Sequence, residues 1–116
     1  MNTVKDVGMF IPYYIGQEIY EVEDITDWKG HRDVRFHTYE ASMITVKKDK
    51  SIKIRFSITS DKSGRQVTLT REQLDMDRKP HVQGKFSHWY KYFSNKMEAQ
   101  SVYEKLVNQI SSSDVV

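Results

Sequence analysis

The sequence predicts an α+β fold: a twisted antiparallel sheet of about five strands, open or curled into a small barrel, with one C-terminal amphipathic helix. Three observations carry this. Ile52, Ile54, Phe56 and Ile58 alternate with Lys53, Arg55, Ser57 and Thr59, which is the period of a strand with one buried face and one basic face. Between Asn95 and Ile110 the apolar residues Ala99, Val102, Tyr103, Leu106 and Ile110 recur at helical spacing, so a helix closes the sheet. The chain has 116 residues and no cysteine, which suits one domain held together by its apolar core alone.

Taken in order, residues 13–22 are rich in β-branched and aromatic side chains around Gly16, the pattern of a first strand with a bend or bulge at the glycine. The run from Glu23 to Asp27 reads as a turn, and Trp28-Lys29-Gly30-His31 as a connecting loop. Val34 and Phe36 alternate with Arg35 and His37 and restart a strand, which continues from Tyr39 to Lys47 after a change of face. Further strands are expected at about 42–48, 51–60 and 65–70, joined by short polar connectors as two successive hairpins. Thr70 and Gln73 have the spacing of a capping box for a short helical turn. Asp75 to Gly84 is the longest irregular stretch, His88 to Phe93 is the last strand, and Asn95 with Glu98 caps the helix. The domain is expected to span residues 1–110, with 111–116 a flexible tail.

The net charge is only +2, but its signs are segregated: residues 1–40 hold 4 Lys/Arg and 8 Asp/Glu, and residues 41–116 hold 14 and 8. Such polarity points to a charged partner. No apolar run reaches the length of a membrane span and no secretory leader is visible, so a cytoplasmic, membrane-free protein is expected, complete as a small gene product.

Three patches are candidates for binding. Lys53 and Arg55, with Lys47, Lys48, Lys50, Lys62 and Arg65, form a basic strand face fit for phosphates or carboxylates; lysines that guard a sheet against aggregation look the same. Arg78, Lys79 and Lys85 flank an aromatic run containing Trp89, the mixture used on single-stranded nucleic acid, although alternation also sorts Trp89 and Phe93 onto one core face and Tyr90 and Tyr92 onto the other. Glu21, Glu23 and Asp24, with Glu18, Asp27, Tyr20 and Trp28, form an acidic patch with aromatic anchors; it is either solvated surface or a mimic that occupies a basic groove. His31, His37, His81 and His88 match no zinc spacing, pairing His37 with Glu40 as base and orienter has no geometric support, and the dispersed glycines form no phosphate loop. No metal, cofactor or catalytic residue is therefore expected, and a small metal-dependent nuclease using the carboxylates at 21–27 carries little weight.

Ile15-Gly16-Gln17-Glu18-Ile19-Tyr20-Glu21-Val22 resembles the opening strand of small SH3-like barrel proteins, and Phe93-Ser94-Asn95-Lys96-Met97-Glu98-Ala99 is similar to the helix start that closes short phage-encoded proteins of this kind. The resemblance covers about a fifth of the chain and implies a phage or mobile-element accessory protein that binds and disables a host factor; no binding residue is carried over from it. With charge polarity and no catalytic parts, the leading expectation is a non-enzymatic protein-binding module acting on a host nuclease or transcription component. The alternative is a nucleic-acid-binding domain that uses the basic strand face and the basic-aromatic loop.

Overall fold

The computed structural model describes residues 14–58 and 64–114. Six strands form one antiparallel sheet: β1 (Glu18–Thr26), β2 (Arg32–Val46), β3 (Ile52–Ile58), β4 (Gln66–Thr70), β5 (His81–Gln83) and β6 (Phe86–Phe93). Their spatial order is β4-β3-β2-β1-β6-β5, followed in sequence by the helix α1 (Lys96–Asp114). The α+β class is thus as the sequence implies, with six strands rather than five. The sheet is a curled half-barrel, and among the described residues its two edge strands, β4 and β5, do not pair to close it.

Several boundaries differ from expectation, each for a local reason. The segment Glu23–Thr26 is strand, and the turn comes after it, where Asp27 Oδ1 accepts the backbone N–H groups of Lys29 and His31, both at 2.9 Å. Gly30 sits in that turn at φ +86°, where an L side chain would be strained. Gly16 lies in a turn ahead of β1 rather than in a bulge, with Gln17 N–H donating to the Tyr14 carbonyl at 3.0 Å. Residue 13 lies outside the described residues. The two strands expected on either side of the face change are one long strand, β2. Its change of face is a bulge between Ala41 and Met43, which lets Ala41 and Ile44 both contribute to the same core.

The expected irregular stretch 75–84 contains the short strand β5, paired with β6 through His81↔His88 and Gln83↔Phe86. Before it, the cap at Thr70 forms: its N–H donates to Gln73 Oε1 at 2.8 Å over a 3-10 turn at Arg71–Gln73. At the helix start, Asn95 Oδ1 accepts the Glu98 N–H at 2.9 Å. The backbone of α1 runs on to Asp114, through residues expected to be tail, since no glycine or proline stops it.

The two faces of the sheet are buried by different means. On one, Tyr20, Val22, Val34 and Phe93 pack with Ala99, flanked by Phe36, Trp89, Val102, Tyr103, Leu106 and Ile110, so the predicted helical stripe is the lid of this core. The other, inner face holds Ile19, Tyr39, Ala41, Ile52, Ile54, Phe56, Leu69 and Tyr92. Among the described residues no α-helix covers it; curvature does. Arg65, just before the edge strand β4, reaches carboxylates on β1, three strands away, and the Asp75 N–H donates to the Tyr92 carbonyl on β6 at 2.7 Å. In a flat sheet three strand spacings would be about 14 Å, so these contacts require the sheet to wrap around the inner face. Among the described residues no helix is long and apolar enough to cross a membrane.

Candidate functional site

The inner face changes character along β1. Toward the start of the strand it is apolar, at Ile19; two steps on come Glu21 and then Glu23, only 1% and 4% exposed. A buried carboxylate must be compensated, and the neighbouring strands supply the groups. Glu21 lies opposite His37 on β2 and opposite Tyr92 on β6, and Glu23 lies opposite Tyr90. The side chains then reach along the diagonal. Tyr39 O–H donates to Glu21 Oε1 at 2.7 Å, His37 Nε2 lies 2.7 Å from Glu23 Oε1, and His88 Nε2 lies 2.9 Å from Glu23 Oε2. Arg65 stands over both carboxylates, 3.5 Å from Glu21 Oε1 and 3.6 Å from Glu23 Oε1.

The electrostatics follow from this arrangement. Burial alone would raise the Glu23 carboxyl, but contacts from His88 and His37 and the charge of Arg65 outweigh it and hold the group below the usual glutamate range. Glu23 is therefore an acceptor, and each imidazole turns an Nε2–H toward it. Burial, then the neighbouring Glu21, pushes the phenols of Tyr39 and Tyr92 far up, so both remain protonated donors. The guanidinium of Arg65 loses solvation, but the charges of Glu21 and Glu23 raise it further. Arg78 borders the cluster, its guanidinium 4.5 Å above the Tyr90 ring and donating to the Tyr90 hydroxyl at 3.2 Å.

Glu21 and Glu23 are thus not part of a surface patch, as a charge count along the chain suggested. Asp24 points to the helix side, where Arg32 grips it with two bonds of 2.9 and 2.8 Å and also donates to Gln109 on α1 at 3.0 Å. It fastens the helix to the sheet. Trp89 is on that side too, packed against the helix cluster, and its indole N–H donates to the Arg78 carbonyl at 2.9 Å. The core reading of the aromatic run holds for it. Arg78, expected as a free loop cation, is half-buried on Tyr90. Lys79 and Lys85 are exposed, as are Lys53 and Arg55. Lys53 lies close enough to Lys47 for the two ammonium groups to depress its pKa. Residue 62 of the same basic face lies outside the described residues.

Trp28 belongs to a second region. It stacks on Phe86, with ring centroids 5.3 Å apart, yet stays 59% exposed. His81 meets Phe86 edge-on, and Val82, next to it on β5, is 64% exposed. Gly84 turns at φ +60° beneath the platform, where an added Cβ would lie 3.6 Å from the Trp28 ring. Lys29, Lys79 and Lys85 are exposed in the loops that frame it.

Sequence reasoning set the histidines aside because their spacing matched no motif, and it missed the cluster at Glu23. The available signal was two polar pairs at strand period, Glu21 with Glu23 and His37 with Tyr39, on strands joined as a hairpin. Such pairs put ionisable groups on an inward face, which calls for partners. Compared with known proteins, the chain matches no family model, no curated protein and no solved structure.

Proposed function

We propose that this chain is a non-enzymatic binding module that docks an acidic, extended segment of a partner protein against the Trp28–Phe86 platform and the edge of β5. The supporting observation is that a tryptophan already stacked on an aromatic neighbour leaves 59% of its surface in solvent. Large aromatic side chains with an uncovered face, ringed by polar groups, are characteristic anchors of interfaces. β5 lies at one end of the strand order, and among the described residues no strand pairs with its outer backbone edge, where a further strand can add. The local charge favours an acidic ligand: Lys29, Lys79 and Lys85 are exposed around the platform, while the nearby Asp27 carboxylate is engaged by its own turn.

The test is capture from nuclease-treated and untreated lysates by the wild-type chain, by Trp28→Ala and by a Lys79→Glu, Lys85→Glu double variant. A specific protein retained after nuclease treatment by the wild type, lost from both variants and displaced by an acidic peptide, supports the reading. Retention that disappears with nuclease, or that neither variant changes, overturns it. In the first of those cases the basic-aromatic surface is a nucleic-acid site, with the steep salt dependence that such binding carries.

A further inference from the structure

We propose that Glu21, Glu23 and His37 form a binding site for a divalent transition-metal ion of the zinc class, in which the ion takes the place of the Arg65 guanidinium. The ligand atoms of these three residues lie within 4.8 Å of one another on the buried inner face. Zinc bonds to nitrogen and oxygen are about 2.0–2.2 Å, so donors that share one ion stand about 3.5 Å apart: His37 Nε2 and Glu23 Oε1, now 2.7 Å apart, open by under about an ångström, and any pair at the wide end of the 4.8 Å span closes by about as much. Small side-chain movements achieve that.

The direction in which the histidines point favours a shared cation over acid-base catalysis. In a catalytic His-carboxylate dyad the carboxylate holds one ring nitrogen and the other faces the substrate. Here both His37 and His88 turn Nε2, the nitrogen at the tip of the side chain, into Glu23, at 2.7 and 2.9 Å. What remains is Nδ1, beside the ring's own attachment to the strand. Between His37 and Glu23 Oε1 there is now a proton; an ion bound at that point replaces it.

The carboxylates also have the outer partners that metal ligands use. Glu23 Oε2 is held by His88, Glu21 Oε1 by the Tyr39 hydroxyl at 2.7 Å, and Glu21 is bonded by the Tyr92 phenol as well, while a ligand atom from each of Glu21, Glu23 and His37 lies within 4.8 Å of the other two. The charge balance points the same way. One guanidinium stands over two carboxylates. Its distances to the two carboxylates, 3.5 and 3.6 Å, are longer than the roughly 2.7–2.9 Å of a charge-assisted hydrogen bond. The Arg65 side chain is 41% exposed, so it has solvent to withdraw into. A donor set of two oxygens and one nitrogen suits zinc, and its congeners manganese, iron and cobalt, over calcium and magnesium, which take oxygen alone. The site is separate from the Trp28 platform and does not depend on the docking proposal.

The experiment uses the full chain freed of metal by a chelator, titrated with Zn²⁺ by calorimetry and with Co²⁺ by visible absorption. The expected result is one ion per chain and the intense visible bands of low-coordinate cobalt. Glu23→Gln and His37→Gln should each weaken Zn²⁺ by more than about 100-fold, and His88→Gln, which acts through Glu23, by about 10–100-fold. Arg65→Gln should tighten binding several-fold by removing the competing cation, a gain that misfolding cannot produce. Absence of binding by the folded wild type, binding unchanged in Glu23→Gln and His37→Gln, or an Arg65→Gln variant that binds no more tightly than wild type would each overturn the proposal.

Discussion

The two faces of this sheet are made from the same strands and are closed in opposite ways. On the helix side, alternate residues of β1 and β6 present Tyr20, Val22 and Phe93 to the apolar stripe of α1, and the polar groups lie at the margin, as in the Arg32–Asp24 pair. On the inner side the next residues along present Ile19, then Glu21 and Glu23, and the strands beside them answer with Tyr39, His37, His88 and Tyr92. One face is stabilised by removing apolar surface from water, the other in part by holding charge in a fixed network. An apolar face tolerates change that preserves volume, whereas a buried network fails when one partner is removed.

Substitutions can break this contrast. The largest loss is expected at Phe93, fully buried under the helix: Phe93→Ala should destabilise by about 3–5 kcal/mol, measured by denaturant unfolding. That loss should be the same at pH 7 and pH 5, because no charge is involved. Next comes Glu23→Gln, expected to cost about 3 kcal/mol at pH 7, since it removes the charge that two imidazoles and a guanidinium face.

The Glu23 effect should depend on pH, which is what separates the faces. The folded carboxyl lies below the ordinary glutamate value of 4.5, so its contribution is fully present above that value and is lost as pH falls through the lower folded one. In metal-free protein the gap between wild type and Glu23→Gln should therefore close in acid, below about pH 4.5. A gap that stays constant to pH 3 would mean that Glu23 acts through packing alone. Tyr39→Phe should be milder, about 1–2 kcal/mol, since it deletes one donor to Glu21 and little volume. Smallest is Asn95→Ala, about 1 kcal/mol, which loses the helix cap and touches neither face.

The helix face was legible in the sequence because a single rule governs it. The spacing of Ala99, Val102, Tyr103, Leu106 and Ile110 gave the stripe, and alternation in Trp89, Tyr90, Tyr92 and Phe93 sorted those rings correctly. The inner face was not legible for two reasons. Glu23 and Asp24 look like turn residues, since a strand position that buries a carboxylate is recognised only through its partners on other strands. Those partners are then fixed by register: His37 comes to β1 across one hairpin, and His88 from the far end of the chain through the pairing of β1 with β6. Spacing along the chain carries neither. The Trp28 platform lies between these cases. Trp28 stood out as an aromatic beside charges, while Phe86 and Val82 gained their meaning from β5, a three-residue strand too short to show a period.

The most direct measurement is nitrogen NMR of the four histidine side chains in metal-free protein, for wild type and Glu23→Gln. If one carboxylate joins β2 to β6 on the inner face, His37 and His88 are both protonated at Nε2 in the wild type. Both sets of resonances then shift together on Glu23→Gln, while His31 and His81 remain in place. A spectrum in which only one of the pair responds, or neither does, would contradict the convergence of the two strands on Glu23.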